Sequence, residues 1–420
     1  MTPPSPEPGT TAPAPEPGTT AVSPRPPYKE TTPTYQTPVA GAPRSGASIG
    51  PATPPGVEPT EQGVFPPTPP QFTIETADHV NRLRIGLLIQ GQYEAHGASS
   101  SQGLTQNLFV RRAGILLGGR FLKYFDYFFG TDYSNVQKEN TATPPLKAGP
   151  SIQVKDIIGT IRAVEDEFKI DFGLMLPPGS HNFLQGSSTL YGWDFFLNSY
   201  RFSNAFGSQN DPYGRDLGVQ LRGLVLNKFL EYRAGVFQGV RNPPVVGPPA
   251  GSPGRNSFRV AGRVQLNFLD PETGYFYGGT YLGTQKVFSV GAFGDYQHDQ
   301  DNTYRSYGGD ALLDAYNVTA QIDVVYRNGG GLATTIPRNT AFEGEVGYRF
   351  EPIHLAPVFR FERRWQAGGG ANDETDTGGG LAWFAFGHTA NLKAFYTRLI
   401  PGGSAKGYDQ VNVQAQLAFF

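Results

Sequence analysis

The side chains of this chain that could do chemistry are charged groups set at alternate positions. Arg84, Arg112, Lys169, Arg222, Arg233, Arg259, Arg263, Arg349, Arg360, Arg364 and Lys393 fall on the polar phase of segments whose intervening residues are mostly apolar or small. Asp171, Glu231, Asp323, Glu343, Glu345 and Glu362 share that phase and are fewer. Successive side chains of a strand point to opposite faces, so these charges project together from one face of each strand. If that face encloses water, an excess of basic groups raises the local concentration of anions and disfavours cations. If acids and bases instead pair across neighbouring strands, little net field remains. The sequence leaves both readings open.

A second polar set lies in Ser180–Tyr200, which follows the strand stop Pro177-Pro178-Gly179. His181, Asn182 and Gln185 could hydrogen-bond a solute there, beside the aromatic Tyr191 and Trp193. This stretch reads as a constriction loop, or as a surface loop packed down by its own aromatic residues. Signals for catalysis are poor. The histidines His79, His96, His181, His298, His354 and His388 show no metal-binding spacing. Gly46-Ala47-Ser48-Ile49-Gly50 fits G-x-S-x-G but lies in proline-rich sequence, where a strand-to-helix elbow has no place. Asp295, Asp299, Asp301 and Asp310 gather near an expected loop, as calcium ligands or as solvated charges. The expectation is a protein that is not an enzyme and needs no cofactor or metal.

The elements that position these residues are strands. In Phe258–Phe268 the even positions are apolar or small and most odd ones polar, and the pattern recurs from about residue 81 to the C-terminus. No apolar run of about 20 residues exists, so no helix is predicted to span a membrane. Segments of about 10 alternating residues separated by turns are the signature of a transmembrane antiparallel β-barrel, apolar outside and polar inside. The all-β reading places about sixteen strands in residues 71–420. They include one strand near 193–203, one near 312–326, and a corner at Gly119-Arg120. Connections alternate between short turns and long polar loops, and 13% aromatic residues fit girdles at two membrane interfaces. The net charge of −2 and the lack of a Lys/Arg run give no case for nucleic acid. The chain contains no cysteine, which excludes disulfides.

Residues 1–70 hold more than half of the 37 prolines and few branched aliphatics. Pro6–Ala12 repeats as Pro15–Ala21. Such a composition cannot bury enough apolar surface to offset chain entropy, so a disordered arm facing the periplasm is expected. No basic and then apolar leader opens the chain. An exported protein would have lost it or carry it upstream.

Several short motifs in order resemble the phosphate-selective porin O/P family across about residues 75–420. Gly214-Arg215-Asp216-Leu217-Gly218-Val219, followed by Tyr232-Arg233-Ala234-Gly235-Val236-Phe237-Gln238-Gly239, is similar to its middle signature. Phe109–Ile115 resembles its double-arginine strand, and Phe168–Pro178 the strand leading into its constriction loop. The resemblance implies a sixteen-stranded outer-membrane porin, a homotrimer, that passes small hydrophilic solutes and ions; the expected preference for anions comes from the excess of basic residues on the polar phase. Phosphate specificity in the family rests on a dense lysine and arginine cluster that has no positional match here. The expected surroundings are outer-membrane lipids and lipopolysaccharide. The barrel-assembly machinery would read the last strand at Leu417, Phe419 and Phe420, although Phe420 is out of step with that strand's apolar phase. The alternative is a structural barrel with a plugged pore and an arm that reaches the cell wall.

Overall fold

A sheet with one apolar face and open edges is a liability, and closing it on itself removes the edges. The computed structural model does this. It describes residues 72–420 except 98–103, 140–145, 150–151, 198–213, 240–256, 300–301, 331–336, 369–372 and 404–405. The proline-rich arm, with its serine motif, lies outside the described residues. The strands are β1 (Phe72–Glu75), β2 (Arg82–Gly97), β3 (Leu104–Phe121), β4 (Phe125–Val136), β5 (Gln153–Val164) and β6 (Phe168–Met175). Then come β7 (Asp216–Val225), β8 (Leu230–Phe237), β9 (Arg259–Asn267), β10 (Val287–Asp299), β11 (Asn302–Ala315) and β12 (Val318–Asn328). The series ends with β13 (Asn339–Tyr348), β14 (Leu355–Gln366), β15 (Glu374–His388), β16 (Ala390–Pro401) and β17 (Tyr408–Phe419).

Each strand from β2 to β17 pairs antiparallel with its sequence neighbour, and β17 closes on β2 from Gln410↔His96 to Phe419↔Leu87. The result is a 16-stranded barrel. The short β1, absent from the sequence reading, pairs with β2 at Phe72↔Ile85 to Glu75↔Arg82, on the edge that β17 leaves free.

The predicted number of strands comes out through two offsetting differences. Residues 193–197 carry no strand, and the rest of the segment expected near 193–203 lies outside the described residues. The single strand expected near 312–326 is instead a hairpin of β11 and β12 turning at Tyr316-Asn317. Both turn residues have positive φ, 54° and 66°, which suits a tight hairpin, but a tyrosine there carries no turn signal. Likewise β3 runs through the expected Gly119-Arg120 corner and turns at Leu122–Tyr124.

The barrel is apolar outside. Leu217, Val219, Leu221, Val260, Val264, Val290, Ile322, Val324, Val346 and Leu392 are exposed on its outer face. Near the short-turn rim, Phe229 meets Phe268 edge-on and Phe268 stacks on Phe288, with Tyr348 against Phe350. Tyr307 stacks on Tyr326 toward the opposite rim. An apolar jacket this continuous is stable only in lipid, and aromatic residues suit its two borders. In β17, Val411 and Leu417 face outward, whereas Phe420 turns inward onto Phe128, ring centres 5.6 Å apart. Among the described residues no helix is long and apolar enough to cross a membrane; the strands do the crossing.

Candidate functional site

The strand register turns alternation into ladders. Arg162, Lys169, Arg222, Arg233 and Arg263 stand directly opposite one another on the successive strands β5 to β9. Asp310, Asp323, Glu343, Glu362 and Asp376 do the same on β11 to β15. All ten point inward and are buried. Like charges placed opposite in a sheet repel, so each basic rung is matched by an acid from elsewhere. Arg162 meets Asp126 and Glu165, Lys169 meets Asp166, Arg222 meets Asp171, and Arg233 meets Glu231.

Arg263 joins the two ladders. It reaches across β10 to Asp310 at 2.6 and 2.8 Å. Gly291, the residue of β10 beside Asp310, leaves the gap, since a Cβ there would lie 2.3 Å from the guanidinium. The remaining basic residues on the polar phase also project inward. Arg259 binds Asp295 and Asp216, Arg364 binds Glu374, Arg349 binds Glu351, and Arg84 lies over the Phe420 ring at 5.8 Å. Asp295 and Asp310, weighed above as loop calcium ligands, are strand residues held by arginines. Among the described residues no acidic or histidine group has the geometry to hold a metal.

Two segments fold into the barrel from opposite rims. The first is the β6–β7 connection, which leaves β6 at Pro177-Pro178 because proline cannot continue a strand ladder. Its described part, residues 176–197, is held at several points. Gln90 and Gln416 donate to the Ser187 and Ser188 carbonyls. Lys393 donates to those of Leu190 and Gly192 at 2.6 and 2.8 Å, and Arg360, which also meets Glu362, to those of Asp194 and Phe195.

Its strongest hold is Asp194, which takes Arg112 at 2.5 Å and Arg111 at 2.7 Å. Two adjacent arginines can share one carboxylate because the β2–β3 register slips between Gln90 and Gly91, so that Gln90 faces Arg112 and Gly91 faces Val110. Arg111 is the extra residue of a bulge, which re-aims its side chain inward. Strict alternation assigns Arg111 to the lipid face, and only the doubled arginine marked the place. Burial pushes the Asp194 carboxyl up, but the two guanidiniums outweigh this and hold it well below the usual carboxylate range.

The second segment, 268–286, connects β9 to β10 on the rim where every other turn is short. Sequence reasoning missed it; its one signal is the run Tyr275-Phe276-Tyr277-Gly278-Gly279 where a turn was due. It zips onto the first segment through Tyr277 N to Leu184 O, Gly186 N to Tyr277 O, and Gly279 N to Thr189 O. A Cβ on Gly279 would sit 2.9 Å from Leu190 and Thr189 atoms, so only glycine permits this approach.

The sequence-predicted polar residues of the first segment serve this contact. His181 stacks on Tyr277 at 4.6 Å, and its Nε2 meets Glu272 at 2.9 Å. Gln185 bridges His181 and Gln321, and Asn182 accepts from the Phe196 amide. Tyr191 stacks on Phe384. Trp193 borders the outer cavity described next.

Three cavities follow one another along the lumen, the central and inner ones mainly against β2 to β5 and the outer one between β2–β4 and β14–β17. An outer one is bordered by Arg111, Lys138, Asp194 and Arg360. A central one includes Arg112, Phe128, Lys155, Phe195 and Arg215. An inner one at the short-turn mouth is bordered by Arg82, Arg84, Arg120, Arg162, Lys169 and Arg222, against Asp126, Glu165 and Asp166. Neighbouring cavities share a residue, Phe195 between outer and central and Phe128 between central and inner. The upper basic ladder lies elsewhere: Arg233 and Arg263 face Tyr277 at 4.5 and 5.3 Å, under the second segment.

No family model matches the chain, and no curated relative matches it. Solved structures do. The chain is similar to OmpF of Salmonella typhi in complex with daunomycin, at 13% identity and a TM-score of 0.52, over 82% of this chain and 100% of that one. It is similar to an anion-selective porin from Comamonas acidovorans, at 10% identity and TM-score 0.53, over 81% and 100%. A third is the outer-membrane channel DcaP of Acinetobacter baumannii, at 12% identity and TM-score 0.50, over 82% and 99%. What the chain shares with these porins and channels is the barrel fold.

Proposed function

We propose that this protein is an outer-membrane porin that admits small solutes and ions by passive diffusion, with a preference for anions. The observation that carries the reading is the chain of cavities inside an apolar-jacketed barrel, ending in a mouth where six basic side chains border the path against three acids. Such a mouth concentrates anions wherever its ion pairs leave positive potential. The pairing throughout the lumen argues for a modest preference, and nothing in the arrangement singles out phosphate. The chain works in the bacterial outer membrane, among its lipids and lipopolysaccharide, as a homotrimer. The barrel-assembly machinery recognises its outward Leu417 and Phe419, with Phe420 held inside.

Purified protein in a planar bilayer tests this through conductance and the zero-current potential across a KCl gradient. Stepwise conductance with a chloride-favouring potential is expected. A second reading has its own observation: two inward segments zipped together fill much of the lumen, as a structural barrel with a plugged pore would require. Correctly folded, heat-modifiable barrels without conductance would favour it and refute the porin.

A further inference from the structure

The central cavity departs from the rest of the lumen in its chemistry. Leu88, Leu116, Phe128, Leu176, Phe183 and Phe276 line its inner part. Elsewhere the inward positions of these strands are largely polar, charged or glycine. The apolar lining is built from five elements: β2 and β3 supply the leucines, β4 supplies Phe128, the first inward segment Leu176 and Phe183, and the second Phe276. Phe128, Leu176, Phe183 and Phe276 belong to a buried cluster that also holds Phe420.

An apolar neck is a poor path for hydrated inorganic ions, because wetting it is unfavourable. It is a good path for a solute that carries its own apolar surface. At the polar end of the cavity Arg112, Lys155 and Arg215 stand with Asp132 and Asp156, three basic groups to two acids. Arg112 is nearly fully buried in the wall, donates to Gln90 and Asp194, and keeps an Nε–H with no acceptor. An anionic group at this end gains charge-assisted hydrogen bonding from the basic groups that outnumber the acids there.

Resting on the porin reading, we propose that the central cavity is a binding site for amphipathic anions: an apolar body seated among the leucines and phenylalanines, and a carboxylate drawn to Arg112. Apolar walls plus a few placed polar groups are the general make-up of a small-molecule site. Arg112 stands over the Phe195 ring at 5.4 Å, so the anionic end meets the guanidinium at the ring shared with the outer cavity.

The test is block of KCl current through the full-length protein in a planar bilayer by acetate, butyrate and hexanoate, with hexylammonium as the cationic control. Burial of each added methylene should tighten block by roughly two- to fourfold. Hexanoate should therefore block far more tightly than acetate, and hexylammonium more weakly than hexanoate. Leu88→Asn and Leu116→Asn, both on the inward side and folded as judged by heat-modifiability, should raise chloride conductance and flatten the chain-length series. Equal block by acetate and hexanoate in a conducting channel would overturn the apolar site and leave the porin standing. Equal block by hexylammonium and hexanoate would overturn the assignment of the anionic end. No current from the wild type or from either variant would overturn the porin reading itself.

Discussion

Replacing Asp194 by alanine should loosen the first inward segment while leaving the barrel closed. The carboxylate accepts from Arg112 Nη2, from Arg111 Nη2 and Nε, and from the Phe195 amide. Its loss strands two buried guanidiniums, and removing one partner of a buried ion pair costs about 3–5 kcal/mol. Arg111 retains Asn135, and Arg112 retains Gln90, so the lower part of that range applies. At about 1.4 kcal/mol per power of ten, 3 kcal/mol raises the released fraction of the segment roughly a hundredfold. The barrel walls should hold, because the strand ladders do not involve Asp194, and part of the segment stays gripped by Arg360 and Lys393 through backbone carbonyls that alanine keeps.

Single-channel recording should show larger, noisier current, and limited proteolysis of folded protein should cut within 190–197. Arg111→Gln should do less, since Arg112 still holds Asp194. The pH dependence has a definite sign. A carboxyl whose folded pKa is depressed stabilises the latch fully above its ordinary value of about 3.9 and loses that stabilisation only as pH falls through the lower folded value. Acidification from pH 7 to pH 4 should therefore leave the segment latched. Wild-type noise and protease resistance in Asp194→Ala, or release of the wild-type segment above pH 4, would refute the latch.

Gly291→Ala should cost about 1–3 kcal/mol through overpacking against Arg263 and Asp310, whereas Gly294→Ala, with nothing near its Cβ, should be neutral. Urea unfolding in vesicles reads both. Val324→Arg, on the lipid face of β12, should cost about 2–4 kcal/mol if it lies near the bilayer midplane, and Ile353→Arg at the rim about 0–1 by the same assay. Lys169→Gln should reduce anion preference without unfolding the barrel, because Lys228 still neutralises Asp166 at 2.7 Å. The zero-current potential should shrink in that variant, and in the wild type it should also shrink between 0.1 and 1 M KCl as screening lengths fall from about 10 to 3 Å.

Which parts of this were legible depended on the range of the interaction involved. Alternation is a property of each strand alone, so Arg222 and Arg233 could be set on one face from sequence. The pairing that stacks them in one ladder depends on register, and a slip of two residues preserves every alternation while changing every partner. The bulge at Arg111 breaks alternation locally, so phase counting was bound to misplace that residue. The Tyr316-Asn317 hairpin lacked the glycine that advertises such turns. The second inward segment was hidden for a different reason. Its aromatic residues have no periodicity of their own and find their places only against Leu184, Thr189 and the arginines of β8 and β9.

The ladders also show what most of the lumen's charge does. On the acid side Asp310 accepts the His181 amide, and Glu362 the Leu197 amide. On the basic side Arg233 donates to the Tyr275 and Gly274 carbonyls, and Arg263 to that of Gly179. Each ladder therefore offers the charge that one kind of backbone group needs, and the inward segments are moored without water to solvate them. Charge used in this way does little to select ions, because its field is spent on fixed dipoles. On the proposed function, selectivity would fall to the rungs that border the inner mouth, Arg162, Lys169 and Arg222. A basic count over the whole lumen overstates the positive field that ions would meet, since most of the basic residues it includes hold the protein together.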